Sequence, residues 1–121
     1  MSTHTLKVLS VSTLQEAKQL LKKIDSDPSS FPIMAPKAVF RILQLDNVML
    51  QDAVIIKQDM LSICGEVAIP KDAFQLEQKQ ASIALMGTLA QHRLLVQKLQ
   101  RHYPRLQRLA GELEDFLNQS E

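Results

Sequence analysis

Cysteine, glycine and aromatic residues are all scarce in this 121-residue chain, and each scarcity closes off a class of protein. The single cysteine, Cys64, excludes an internal disulfide framework and a thiolate zinc cluster within one chain, and it fits a reducing, cytoplasmic setting. There is one tyrosine, there are four phenylalanines and there is no tryptophan, which argues against a base-stacking platform for single-stranded nucleic acid. The three glycines do not fall in Gly-x-Gly-x-x-Gly or Walker spacing. No apolar run approaches the ~20 residues of a membrane span. The stretch Met1 to Lys7 carries no long apolar segment, so a signal peptide is not expected. Charge of neither sign dominates: the net +1 gives no global pull toward nucleic acid or an anionic membrane.

What is present is an ordinary globular composition, 45% apolar and 22% charged, which predicts one ordered domain over residues 1–121. Leu6 to Val11 is short and β-branched and reads as a first strand. Thr13 and Glu16 have capping-box spacing, and Leu14, Ala17, Leu20, Leu21 and Ile24 continue as an amphipathic helix. Asp25 to Ser30 is a turn cluster. Pro32 and Pro36 exclude a regular element before Lys37. Ala38 to Leu45 fits strand or helix, with its β-branched content tilting it toward a strand that ends at the Asp46-Asn47 turn.

Leu50, Ala53, Val54, Lys57, Met60 and Leu61 have helical spacing, and Gly65 suits the left-handed residue that stops such a helix. Val67 to Ile69 reads as a short strand closed by Pro70. The next stretch, Lys71 to Gln80, is loop-like, with room for an edge strand near Phe74. Ala81 to Met86 is a buried strand ending at Gly87, and Thr88 with Gln91 makes a second capping box. A helix from Leu89 runs to about Tyr103, where Pro104 ends or kinks it, and a last helix carries Leu106, Leu109, Leu113, Phe116 and Leu117. The expected fold is α/β (or α+β), about four strands packed by about four helices in the order β-α-β-α-β-β-α-α.

The run Met34-Ala35-Pro36-Lys37, then Ile56-Lys57-Gln58-Asp59-Met60-Leu61, Gly65-Glu66-Val67-Ala68 and Leu85-Met86-Gly87-Thr88, resembles the N-terminal extension of a subset of bacterial dihydropteroate synthases, from clostridia and lactobacilli. The likeness begins near Asp27-Pro28 and covers about two-thirds of the chain, in order and at compatible spacing. Two positions depart from that pattern: Cys64 stands where the family has the first glycine of a Gly-Gly pair, and Pro104-Arg105-Leu106 replaces Pro-Phe-Gly-Leu. The catalytic barrel, ~250 residues in length, and its pterin-binding motifs are absent from the sequence. The resemblance therefore implies a non-catalytic accessory domain associated with folate biosynthesis. Such a domain would dock to a barrel-type synthase, self-associate, or bind a pterin or phosphate metabolite.

The ligand-binding candidates are Lys37, Lys57, Gln58, Gly65, Glu66, Gly87 and Thr88. A strand running through Gly87 into a helix capped by Thr88 leaves backbone amides that can hold phosphate, and it is equally an ordinary strand-to-helix turn. Lys57 falls on the apolar side of its helix, where it either snorkels, pairs with an acid such as Glu66, or binds an anion. Lys37 is a weaker anion candidate of the same kind. Cys64, at a helix C-terminus, reads as a small buried hydrophobe rather than a nucleophile. His4, His92 and His102 have no metal-binding spacing, so neither a metal nor a cofactor is expected.

A second reading rests on charge. No acid occurs between Gln78 and Gly111, whereas Lys79, Arg93, Lys98, Arg101, Arg105 and Arg108 are basic, and Glu112, Glu114 and Asp115 follow. Arg101, Arg105 and Arg108 share a helical face if Pro104 bends the helix without breaking it. The alternative function is thus a nucleic-acid-binding module using the Arg93–Arg108 surface, set against a simple solvated face balanced by the acidic tail.

Overall fold

Apolar residues recurring at helical spacing and two long alternating runs build a small α/β domain. A computed structural model describes residues 3–71 and 79–119. Among them are α1 (Leu14–Ile24), α2 (Phe31–Met34), β1 (Phe40–Met49), α3 (Leu50–Ser62), β2 (Glu66–Ala68), β3 (Gln80–Thr88), α4 (Leu89–Leu99) and α5 (Pro104–Gln119). The three strands form one antiparallel sheet in the order β1-β3-β2. Because β1 and β2 both run antiparallel to β3, they are parallel to each other, with β3 inserted between them after the α3 crossover. This is a split β-α-β unit.

The alternation of the strands sorts the sheet into two faces. Ile83, Leu85 and Val67 are buried on one face with Ile56, Met60, Leu89 and Leu95 from α3 and α4. The opposite face carries Phe40 and Ile42, which remain 57% and 64% exposed. In register with these lie Thr88 and Met86 of β3, and Glu66 of β2 is level with Met86. α5 buries Leu106, Ala110, Leu113 and Leu117 and packs on α4.

Several expectations are corrected. The order loses its first strand: Leu6 to Val11 pairs with no strand among the described residues, and Leu6 and Val8 are 99% and 97% exposed. A β-branched pattern needs a sheet edge to pair with, and here only Val11 packs against the core. The possible strand near Phe74 lies outside the described residues. The prolines of 28–37 do not prevent regular structure. They start short helical turns, Pro28–Ser30, α2 and Ala35–Lys37, in first-turn positions where no amide hydrogen is required.

β1 does not stop at Asp46-Asn47 either. It passes through them by a bulge, with Asn47 at φ 58° and a register shift between Leu45 and Val48. Asp46 anchors the bulge by accepting bonds from the Ser82 hydroxyl at 2.6 Å and the Gln44 amide at 3.0 Å. At the start of α1 only half of the capping box forms. Thr13 Oγ1 accepts from the Glu16 amide, but the Glu16 carboxylate takes the Ser12 and Thr13 hydroxyls.

The end of α3 reverses the roles of two neighbouring residues. Cys64, not Gly65, adopts the left-handed conformation, at φ 69°. The Gly65 amide then closes on the Met60 carbonyl at 2.9 Å, a Schellman stop. Gly65 is required for space instead: a Cβ there would lie 2.8 Å from the Met60 side chain. Cys64 is exposed, not a buried hydrophobe.

This arrangement makes opposite predictions for adjacent positions. Cys64→Gly relieves a left-handed side chain and is expected to raise unfolding stability by about 0.5–1 kcal/mol. Gly65→Ala forces Met60 out of place and is expected to cost about 1–3 kcal/mol. Urea denaturation of the two variants, read as midpoint shifts of opposite sign, checks both.

Candidate functional site

The glycine turns gather Lys57, Gly65, Glu66, Gly87 and Thr88 at one end of the sheet, because α3 ends where β2 begins and Glu66 pairs in register with Met86. The chain's own groups occupy this corner. Lys57 Nζ donates to Glu66 Oε1 at 3.1 Å and to the Val67 carbonyl at 2.8 Å. The Val67 amide and then the Lys57 ammonium hold the Glu66 carboxyl below its usual range.

Gly87 has the same function as Gly65. A Cβ at Gly87 would come within 2.7 Å of Met60 Cε and 2.9 Å of Gln91 Oε1. Met60 is fully buried between the two glycines, so both turns are shaped around a methionine. The expected capping box is complete. Gln91 Oε1 accepts from the Thr88 amide at 2.8 Å, and Thr88 Oγ1 accepts from the Gln91 amide at 3.2 Å. The Leu89 amide donates to Val39 O at 2.7 Å, and Gln91 Nε2 reaches Ile63 O at 3.1 Å. Three amides at the α4 N-terminus are thus committed to internal acceptors. Gln58 and Lys37 are exposed, Gln58 on α3 and Lys37 at the end of a turn before β1.

A second polar cluster was not legible as a unit in the sequence. Asp52, 3% exposed on the first turn of α3, receives Arg105 Nε at 2.5 Å and Arg105 Nη2 at 2.8 Å, together with the Tyr103 hydroxyl. Arg105 also lies 5.0 Å from the centre of the Tyr103 ring. Burial alone would raise the Asp52 carboxyl, but the hydrogen bonds of Arg105 and Tyr103 and the guanidinium charge outweigh it and hold it low. Burial and then the Asp52 carboxylate push the Tyr103 phenol up. The available sequence signal is only that the chain's single tyrosine stands beside Pro104-Arg105.

That cluster also alters the basic surface. Pro104 breaks the helix, so Arg101 lies in the link while Arg105 and Arg108 belong to α5, and no continuous Arg101–Arg108 face exists. Arg105 is bound to Asp52. Arg93 and Glu114 line one cavity, while Arg108 and Glu112 line another, so the acidic tail lies among the basic residues. Lys98 sits half-buried in the last turn of α4.

His92 is 1% exposed, with Nε2 2.9 Å from the Arg41 carbonyl and Nδ1 buried with no hydrogen-bond partner among the described residues. Burial drives its proton affinity down from the ordinary 6.5. Among the described residues no three His, Cys, Asp or Glu side chains are grouped to hold a metal, and no helix is long and apolar enough to cross a membrane. Comparison with known proteins finds no match: no family model, no curated protein and no solved structure.

Two measurements test the polar clusters. Arg105→Ala leaves Asp52 buried without its cation. Its expected cost is about 2–4 kcal/mol, somewhat below a fully buried pair because Arg105 is partly exposed. Arg101→Ala is expected to stay within about 0.5 kcal/mol. The pH dependence follows from His92 and Asp52, which both have lowered folded values. In each case the unfolded chain binds the proton more readily, so stability rises with pH. The His92 contribution is complete above its unfolded 6.5 and falls as pH drops below it, and the Asp52 contribution falls below 3.8. Thermal melts across pH 3–8 are expected to show both limbs in the wild type and to lose the upper one in His92→Gln.

Proposed function

We propose that this chain is a non-catalytic accessory domain related to the extension of dihydropteroate synthases, and that it serves folate biosynthesis by docking to a pterin enzyme. Two lines support this reading. The first is the ordered run from Met34 to Thr88, which carries the resemblance. The second is the use made of the glycine corner, which favours docking over metabolite binding. Lys57, Glu66, Thr88 and Gln91 are bonded to one another or to the backbone, and Met60 fills the space between Gly65 and Gly87. A phosphate placed there would have to displace bonds already made, whereas a protein can use the exposed sheet face bearing Phe40 and Ile42.

The experiment is a pull-down of a barrel-only dihydropteroate synthase on the immobilised chain, with a parallel calorimetric titration of a dihydropterin diphosphate. Retention of the synthase by the wild type, its loss with Phe40→Asp and no saturable heat from the pterin are the expected results. Failure to retain the synthase removes the docking reading. Saturable pterin binding would restore the metabolite role in its place.

A further inference from the structure

The molecule contains a segment of strand-like sequence outside the sheet, and a sheet edge without a partner among the described residues. β1 pairs only with β3, so its other edge is open among the described residues. The consecutive residues Ile42, Leu43, Gln44 and Leu45 line a cavity of about 330 Å³ against Leu109, Glu112, Leu113 and Phe116 of α5. Consecutive lining residues mean that the strand's edge, and not one of its faces, borders this space. A second cavity continues past Leu45, Leu109 and Glu112 toward Asn47 and Met49, which makes one groove along β1. The other free edge is guarded: β2 is three residues long, with Pro70 two positions beyond its end. From Phe40 to Leu45 β1 has no proline, lysine or bulge.

The segment of strand-like sequence is Leu6 to Val11. It is rooted where Arg41 Nη2 donates to the Ser12 carbonyl at 2.9 Å and where Val11 and Leu14 meet the core. From there it runs back along α1, with Leu9, Ser10 and Val11 beside Gln19, Leu20 and Lys23, so its own groove is not lined by it. Leu6, Val8 and Leu9 are left in water. Six extended residues span about 20 Å, the length of β1 from Arg41 to Asp46.

We propose that this chain forms a two-fold dimer by strand exchange, with Leu6–Val11 of each copy adding antiparallel to the β1 edge of the other. In the register that sets Val11 opposite Ile42, Leu9 meets Gln44 and Lys7 meets Asp46. Val8 then lies over Leu45, next to Leu109. Charge agrees with this placement, since residues 3–11 contain no acid and Lys7 falls opposite Asp46, in a groove that carries Glu112 with Arg105 and Arg108 at its far end. Each sheet grows to four strands, and the backbone groups of the open edge are satisfied. This pairing does not depend on docking to a pterin enzyme.

Sedimentation equilibrium of the full chain is expected to give twice 13.7 kDa. Val8→Pro, which cannot add to an edge, and Phe116→Glu, which charges the groove, are each expected to weaken the dimer at least about tenfold. Both positions are exposed, so unchanged far-ultraviolet circular dichroism shows that the fold is kept. Mixing the two variants is expected to restore a heterodimer held by one intact junction, a result only exchange in trans produces. A monomeric wild type overturns the proposal, and protected amides at Leu6–Val11 in that monomer would show the strand closing on its own sheet. A dimer unaffected by Val8→Pro, or the absence of a heterodimer on mixing, overturns it as well.

Discussion

The bonds converging on Asp52 determine where the last helix can lie. A carboxylate 3% exposed to water is costly unless its charge is matched, and Arg105 matches it with two nitrogens while Tyr103 adds a hydroxyl. These partners sit at the α4–α5 link, whereas Asp52 begins α3. The cluster therefore ties the helix that crosses the sheet to the helix that follows it. Pro104 makes this possible by ending α4 early and starting α5 without an amide to satisfy, which frees Tyr103 and Arg105 to turn inward. With that end fixed, α5 packs on α4 and leaves a gap along β1. The groove thus follows from an ion pair at one end of a helix.

The sequence revealed regular elements well where local chemistry decides them. The Thr88–Gln91 box, the helix through Leu50 to Leu61 and the last amphipathic helix all depend on interactions within one turn or one face, so spacing alone exposes them. What spacing could not show was partnership. Leu6 to Val11 has the pattern of a strand, but a strand exists only through its neighbour. Asp46-Asn47 has the composition of a turn, and becomes a bulge because β3 continues opposite it and Ser82 holds Asp46 in place.

The candidate site shows the same limit at the level of single residues. A glycine marks a place where a side chain is not tolerated, and the sequence does not say what excludes it. At Gly65 and Gly87 the excluding atom belongs to Met60, a residue that the sequence marks only by its helical spacing. Lys57 on an apolar face signalled a partner, and Glu66 with the Val67 carbonyl provides it. Arg105 looked like one of a row of surface cations, since nothing nearby in sequence reveals an acid buried 53 positions away.

Those satisfied groups bear on how such a domain can act. Folding has already engaged three amides at the α4 N-terminus, the Lys57 ammonium and the Arg105 guanidinium, so much of this polar chemistry faces inward. Among the described residues, the uncovered features are apolar side chains on the open sheet face, a backbone edge along β1 and the exposed Leu6 and Val8. Each is met by another polypeptide more readily than by a small anion, because a sheet edge asks for alternating amides and carbonyls and an apolar face asks for area. Surfaces of this kind favour the proposed protein partners over a small anion. Ile42 borders both the face and the groove, so the proposed second copy and the proposed pterin enzyme would meet at that residue.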